Sequence, residues 1–204
     1  MKTKNIGEVR IIAGMHKGKR LTVPKTNKTR PTADRVRESM FNILEHNDWG
    51  LKDKSILIGA NVLDIFSGSG ALGLEALSRG AKNVLFLENN KDARESIEIN
   101  ILKLNESKHA TILPRDATKP GPPYNKKQYI LVFADPPYGS GLATPALSAL
   151  VKEKWLFPGA LIVLEIDITD NFQLSNVFKV LNERRYGRKR IMFLQWDGGN
   201  NDKS

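Results

Sequence analysis

Cysteine is absent from all 204 residues, which excludes disulfide scaffolds, thiolate zinc sites and cysteine nucleophiles. Histidine is scarce. His16, His46 and His109 are the three imidazoles and stand far apart in the chain, so no histidine-built metal site is expected. No apolar run approaches the roughly 18–20 residues that a membrane-spanning helix needs. Met1 to Arg10 is polar and no apolar stretch follows it, so no secretory leader is expected either. The expectation is a soluble cytoplasmic protein without metal and without a membrane partner.

What is present suffices for a buried core. Hydrophobic residues make up 40% of the chain and charged residues 26%, ordinary proportions for one globular domain of this length. Charge is where the chain departs from the ordinary: 32 Lys and Arg face 22 Asp and Glu, for a net +10. Residues 1–40 hold eleven of the cations (Lys2, Lys4, Arg10, Lys17, Lys19, Arg20, Lys25, Lys28, Arg30, Arg35, Arg37) against Glu8, Asp34 and Glu38. A second basic cluster, Arg184-Arg185-Tyr186-Gly187-Arg188-Lys189-Arg190, lies near the end. Such asymmetry points to a polyanion, because each phosphate neutralised releases counterions. A solvated basic face that aids solubility is the plainer alternative.

Hydrophobic periodicity divides the chain into an N-terminal unit (1–46), a core (47–196) and a polar tail (197–204). Val9 to Ala13 and Leu21 to Val23 flank the turn-rich segment Gly14-Met15-His16-Lys17-Gly18-Lys19 and read as a small hairpin. Thr32 can cap a helix that runs to about His46, with Val36, Met40 and Leu44 on one stripe. From Val62 strand and helix alternate. Strands are expected over Val62–Phe66, Val84–Leu87, Thr111–Leu113, Tyr129–Ala134 and Ala160–Ile166, with helices over Ala71–Ser78, Lys91–Leu104 and Ala143–Lys154. This order requires a mostly parallel sheet covered by helices on both faces. Val177–Leu181 and Ile191–Trp196 have no helix between them and read as an antiparallel edge hairpin.

Two loops carry chemistry. Asp64-Ile65-Phe66-Ser67-Gly68-Ser69-Gly70-Ala71-Leu72-Gly73 places G-x-G-x-x-G where the first core strand exits. Glycine there lets the backbone turn tightly and approach a ligand, and the following helix offers unpaired N–H groups. Glu88 ends the next strand, where a carboxylate can accept hydrogen bonds from ribose hydroxyls. Loop, strand context and Glu88 together indicate a nucleoside cofactor rather than a structural turn. Asp64 suits an ammonium group and would repel a pyrophosphate, which favours S-adenosylmethionine and leaves a dinucleotide as the alternative.

The second loop is Asp135-Pro136-Pro137-Tyr138, at the carboxyl end of the strand Tyr129–Ala134, where open α/β sheets bind ligands. Two prolines fix φ and contribute no N–H, so the turn is stiff. One carboxylate, a neighbouring carbonyl and an aromatic ring suit a planar base that carries an exocyclic amine. Asp135 and the Pro136 carbonyl would each accept an N–H while Tyr138 stacks on the base. Orientation against a methyl donor is then the main catalytic contribution. A proline-rich turn with Tyr138 packed for stability is the structural alternative.

In these residues the chain resembles the S-adenosylmethionine-dependent amino-methyltransferases with a D-P-P-Y signature, and more narrowly the bacterial RsmD family of 16S ribosomal RNA guanine-N2 methyltransferases. The likeness is carried by Arg10-Ile11-Ile12-Ala13-Gly14 with Lys17-Gly18-Lys19-Arg20-Leu21, by Arg30 to Leu44 (R-P-T-A-D-R-V-R-E-S-M-F-N-I-L), by Asp64 to Ala81, by Asp135 to Tyr138 and by Tyr186-Gly187-Arg188. The R-P-T-x-D-R segment is the most specific of these. Ser67 stands where the family commonly has Ala, and Ile130 where an Asp often precedes the D-P-P-Y strand.

The resemblance implies an α/β fold of the class I S-adenosylmethionine-dependent methyltransferase type, Rossmann-like, with a seven-stranded mostly parallel sheet and the basic N-terminal hairpin added. It places Asp64, Phe66, Ser67, Gly68, Ser69 and Gly70 at the methionine end of S-adenosylmethionine. Glu88 falls at the ribose and Asp116 at the adenine amine, Asn89 and Ala117 are further cofactor contacts, and Thr32 closes the site. Asp135, Pro136, Pro137 and Tyr138 would hold the target guanine. Lys17, Lys19, Arg20, Arg30, Arg35 and Arg37 are the candidate RNA contacts, the partner being 16S ribosomal RNA or the small ribosomal subunit, met by a monomer. The competing readings are a DNA or RNA adenine-N6 amino-methyltransferase, a nicotinamide-dependent oxidoreductase and a non-catalytic RNA-binding assembly factor. A DNA enzyme must usually extrude its base and read neighbouring sequence, and residues outside 62–196 leave little chain for that.

Overall fold

The computed structural model describes residues 9–24, 34–50 and 55–198. Thr32 and Arg30 lie outside the described residues. Among the described residues nine strands and four helices follow in the order β1 (Val9–Arg10), β2 (Arg20–Leu21), α1 (Asp34–His46), β3 (Asn61–Ile65), α2 (Ala71–Ser78), β4 (Asn83–Leu87), α3 (Lys91–Leu104), β5 (Ala110–Leu113), β6 (Tyr129–Ala134), α4 (Ala143–Lys152), β7 (Leu156–Asp167), β8 (Phe178–Tyr186) and β9 (Lys189–Trp196). A short 3₁₀ turn at Tyr124–Lys126 precedes β6. The main sheet has seven strands in the order β5-β4-β3-β6-β7-β9-β8. β3 to β7 run parallel, whereas β9 and β8 are antiparallel additions. β1 and β2 form a separate two-stranded antiparallel hairpin.

Local chemistry sets the element ends. Asn90 caps α3 by accepting the Ala93 N–H at 3.0 Å, and Asn105 ends it in the left-handed region at φ 59°. α4 stops at Lys152, two residues short of the expected end, where Lys154 turns to φ 63°. β7 begins at Leu156 rather than Ala160. Pro158-Gly159, which reads as a break, sits within the strand where its pairing with β6 shifts register between Tyr129 and Leu131. An irregularity of this kind is where a strand tolerates both residues.

The sheet separates two apolar clusters. One contains Val62, Leu74, Phe86, Ile97, Phe133 and Val163, and extends to Val9, Ile11 and Leu21 of the hairpin and Met40, Phe41 and Leu44 of α1. The other gathers Leu63, Ile65, Val132, Leu147, Trp155, Ile162 and Leu194. Phe41 is fully buried and packs on Phe133 with ring centroids 5.5 Å apart. Burying such a ring contributes about 1.5–3 kcal/mol.

A polar seam fastens the hairpin to α2 and α3. Glu75, wholly buried, accepts the Ile12 and Ala13 N–H groups at 2.7 and 3.0 Å and the Arg79 Nε at 2.7 Å. Arg79 also reaches Glu45 of α1 and stacks over the Phe41 ring. On α3, Asn100 accepts the Thr22 N–H and donates to the Thr22 and Ser69 carbonyls, at 2.7, 2.9 and 3.0 Å. Lys103 donates to the Arg20 carbonyl and His16 bonds Glu106. Gly14 lies so close to α2 that an added Cβ would meet the Ser78 carbonyl oxygen at 1.8 Å, and its φ is +80°. No other residue fits there.

Candidate active-site cleft

The carboxyl ends of β3, β4 and β6 open into one cleft of about 670 Å³. Its walls bring together residues far apart in sequence: Asp64, Phe66, Ser67, Gly68 and Ser69 after β3, Glu88 and Asn89 after β4, Asp116 after β5, and Asp135, Pro136, Pro137 and Tyr138 after β6. Ligands of open α/β sheets occupy this position, where strand order reverses.

The glycine loop is held in an unusual backbone path. Phe66, Gly68 and Gly70 adopt φ of 58°, 55° and 75°. Gly68 and Gly70 take this without penalty, whereas Phe66 does so at a cost of about 1–2 kcal/mol. Gly70 caps α2 and faces Phe86 and Ile97 rather than lining the cleft. Gly73 is the close-packing glycine: a Cβ there would meet Phe86 at 2.4 Å and Val84 at 2.7 Å. Glu88 ties the loop down, its two oxygens accepting the Gly68 and Asn90 N–H groups at 2.9 Å each. Each oxygen keeps a second lone pair for a ligand hydroxyl.

Two cleft carboxyls sit in surroundings that resist ionisation. Asp64 is 1% exposed and accepts one N–H, from Gly73 at 2.9 Å. Burial holds its pKa well above the ordinary carboxylate range, and the Asp135 and Glu88 charges add to this. Asp135 is raised as well, by burial first and then by Glu165, against the opposing charge of Lys189. Among the described residues no ion pair forms on Asp64 and none on Asp135. Tyr138 is 45% exposed. Its hydroxyl donates to Glu165 Oε1 at 2.8 Å, and its pKa rises through burial and the Glu165 charge.

Some expected residues fall elsewhere. Ala117 is buried in the second apolar cluster, its side chain away from the cleft. Asp116 lines the cleft and is exposed, its Oδ1 taken by the Thr118 N–H and hydroxyl at 2.8 Å each. Arg37 corrects the expectation that it meets RNA. It is 2% exposed, its Nη2 donating to the Arg10 carbonyl at 2.5 Å and to Asp34 at 3.0 Å, with its side chain against the cleft rather than the surface. Burial also lowers its pKa. Lys17, Lys19, Arg20 and Arg35 are exposed. In the terminal basic cluster Arg188 pairs with Asp167, and Arg190 with Glu183.

Sequence reasoning missed Lys189, Leu142 and Val23, which also line the cleft, and Glu165 behind Tyr138. A trace of Glu165 was visible as the lone charge inside the apolar run Ala160–Ile166. Lys189 gave no signal among its basic neighbours.

The comparisons with known proteins agree with this architecture. The family described as conserved hypothetical protein 95 matches residues 9–195. A Haemophilus influenzae protein named ribosomal RNA small subunit methyltransferase D is 39% identical over 185 residues, which span 89% of this chain and 90% of that protein. The chain belongs to the RsmD family. The Escherichia coli protein of the same name is 36% identical over 79% of this chain and 76% of its own length. Among solved structures, the candidate methyltransferase YhhF of Escherichia coli superposes with a TM-score of 0.77 at 31% identity, covering 94% of this chain and 99% of that one. The RsmD-family fold seen here is thus the class I S-adenosylmethionine-dependent methyltransferase fold, Rossmann-like, with the seven strands expected. Among the described residues no helix is long and apolar enough to cross a membrane.

Proposed function

We propose that this protein transfers the methyl group of S-adenosylmethionine to the exocyclic N2 amine of a guanine in small-subunit 16S ribosomal RNA. The observation that carries this reading is that one cleft is lined both by Asp135 to Tyr138 and by the Gly68 loop with Glu88. The names of the relatives support the substrate class, and the choice of the N2 atom follows the family resemblance read in the sequence.

The residues present fit the donor. Asp64 offers a carboxylate without a cation to an ammonium group, Glu88 keeps lone pairs for ribose hydroxyls, and the Gly68 turn leaves open space at its Cβ position. Asp116, which lines the cleft after β5, would accept from the adenine amine. Bound there, S-adenosylmethionine supplies an electrophilic methyl carbon on a sulfonium that leaves readily. The protein does the rest by placement. Asp135 and the Pro136 carbonyl accept the two amine hydrogens and turn the nitrogen lone pair toward the methyl carbon. Tyr138 stacks on the base. Once the nitrogen carried the methyl group, Asp135 would accept the surplus amine proton. Holding nitrogen and carbon about 3–3.5 Å apart in line supplies most of the acceleration. Lys17, Lys19, Arg20 and Arg35 steer the RNA backbone onto the cleft mouth.

The test is methyl transfer from labelled S-adenosylmethionine to small ribosomal subunits and to duplex DNA, with the modified nucleotide mapped by mass spectrometry. Label at guanine N2 of ribosomal RNA is expected, and label on DNA alone overturns the reading. Asp135→Ala should lower turnover by at least about 10²-fold with RNA affinity largely kept. Turnover at the parental level would remove Asp135 from the mechanism.

A further inference from the structure

Three neighbouring strands converge behind the cleft corner. Ala134 of β6 pairs with Leu164 of β7, so Asp135 and Glu165 come side by side one residue further on. On the other side β9 pairs antiparallel with β7, Glu165 opposite Ile191 and Asp167 opposite Lys189. The sheet changes from parallel to antiparallel here, and the change aims Lys189 back at Glu165. Lys189 Nζ donates to Glu165 Oε1, the same oxygen that accepts the Tyr138 hydroxyl. Glu165 is 4% exposed, so this charge is held out of water, with both donors on its Oε1. Tyr138, in contrast, is nearly half exposed and lines the cleft. A half-exposed ring swings freely unless its tip is anchored, and a hydroxyl bonded to a buried carboxylate is a strong anchor.

We propose that Glu165 and Lys189 are positioning residues that fix the tilt of the Tyr138 ring, and with it the line of attack of the target amine. This rests on Tyr138 stacking on the base as read above. Lys189 neutralises the buried Glu165 carboxylate, and Glu165 holds the phenol. Neither touches the reacting atoms. A tilted base moves the amine out of line with the methyl carbon, so the effect belongs in kcat more than in the KM for the donor.

A double-mutant cycle tests this on small ribosomal subunits with labelled S-adenosylmethionine. Tyr138→Phe keeps the ring and removes the anchor point, and Glu165→Gln removes the charge that holds it. Each is expected to lower kcat about tenfold with the donor KM within about twofold. Together they should cost little more than either alone, because Glu165 acts on the ring only through that hydroxyl. Independent losses that multiply to about a hundredfold overturn the inference and leave the proposed function standing. Should Glu165→Gln not fold, Lys189→Met runs the same cycle, and Lys189→Arg should recover most of the turnover. Tyr138→Ala separates the two levels: turnover and RNA KM at parental values would overturn both the stacking role and the inference.

Discussion

Buried carboxylates occur in two regions of this protein and are treated in opposite ways. In the seam beneath the N-terminal hairpin, Glu75 has two backbone amides and the Arg79 guanidinium as partners. Asn100, equally buried, has both halves of its amide engaged. In the cleft, Asp64 has one amide and no ion pair among the described residues, and like charges on Asp135 and Glu88 face it. The seam satisfies its polar groups within the protein, whereas in the cleft Asp64 and Asp135 carry no ion pair among the described residues. A buried charge costs several kcal/mol unless paired, so the unpaired ones mark the place where a cationic ligand lowers the free energy most.

If the seam is structural, its variants must lose stability first. Glu75→Ala strips three hydrogen bonds at once and leaves the buried Arg79 with Glu45 as its remaining carboxylate. A loss of about 3–5 kcal/mol is expected from breaking a buried pair, read as a lower denaturation midpoint. Unchanged stability would show that the hairpin is not coupled to the core. Asn100→Ala comes next, at about 1–3 kcal/mol for the Thr22 groups left unpaired. Because Asn100 also holds the Ser69 carbonyl, donor affinity should fall along with stability in isothermal titration. Loss of stability alone would confine Asn100 to the hairpin.

The sheet was legible in the sequence because its signals are local. α2, α3 and β6 run between the residues expected, since glycines, Asn90 and the apolar alternation punctuate them. The cleft was legible through its two loops, which lie where strands end. The seam and the Glu165–Lys189 pair were not. Glu75 and Asn100 look like ordinary polar residues of helix surfaces, and what buries them is a hairpin some 60–80 residues earlier in the chain. Arg37 misled for the same reason: it belongs to a basic run, and the fold of the hairpin turns it inward. Pairings set by tertiary contact leave no period to read.

The smallest effect separates the two regions most sharply, because it has the opposite sign. Asp64→Asn preserves the shape and, through its Oδ1, the bond from the Gly73 N–H, and it removes only the charge. The folded-state pKa of Asp64 lies above its unfolded value. Above both values the native carboxylate is ionised in a poor setting and stability is reduced. As pH falls through the folded value the native state binds its proton first and the penalty fades, and below the unfolded value it is gone. The variant should therefore melt higher than the parent at neutral pH, with the gap closing as pH is lowered, while its affinity for S-adenosylmethionine drops. Calorimetry across pH and titration with the donor read both. A variant that melted lower and bound the donor as before would place Asp64 with Glu75, as a residue that holds the fold.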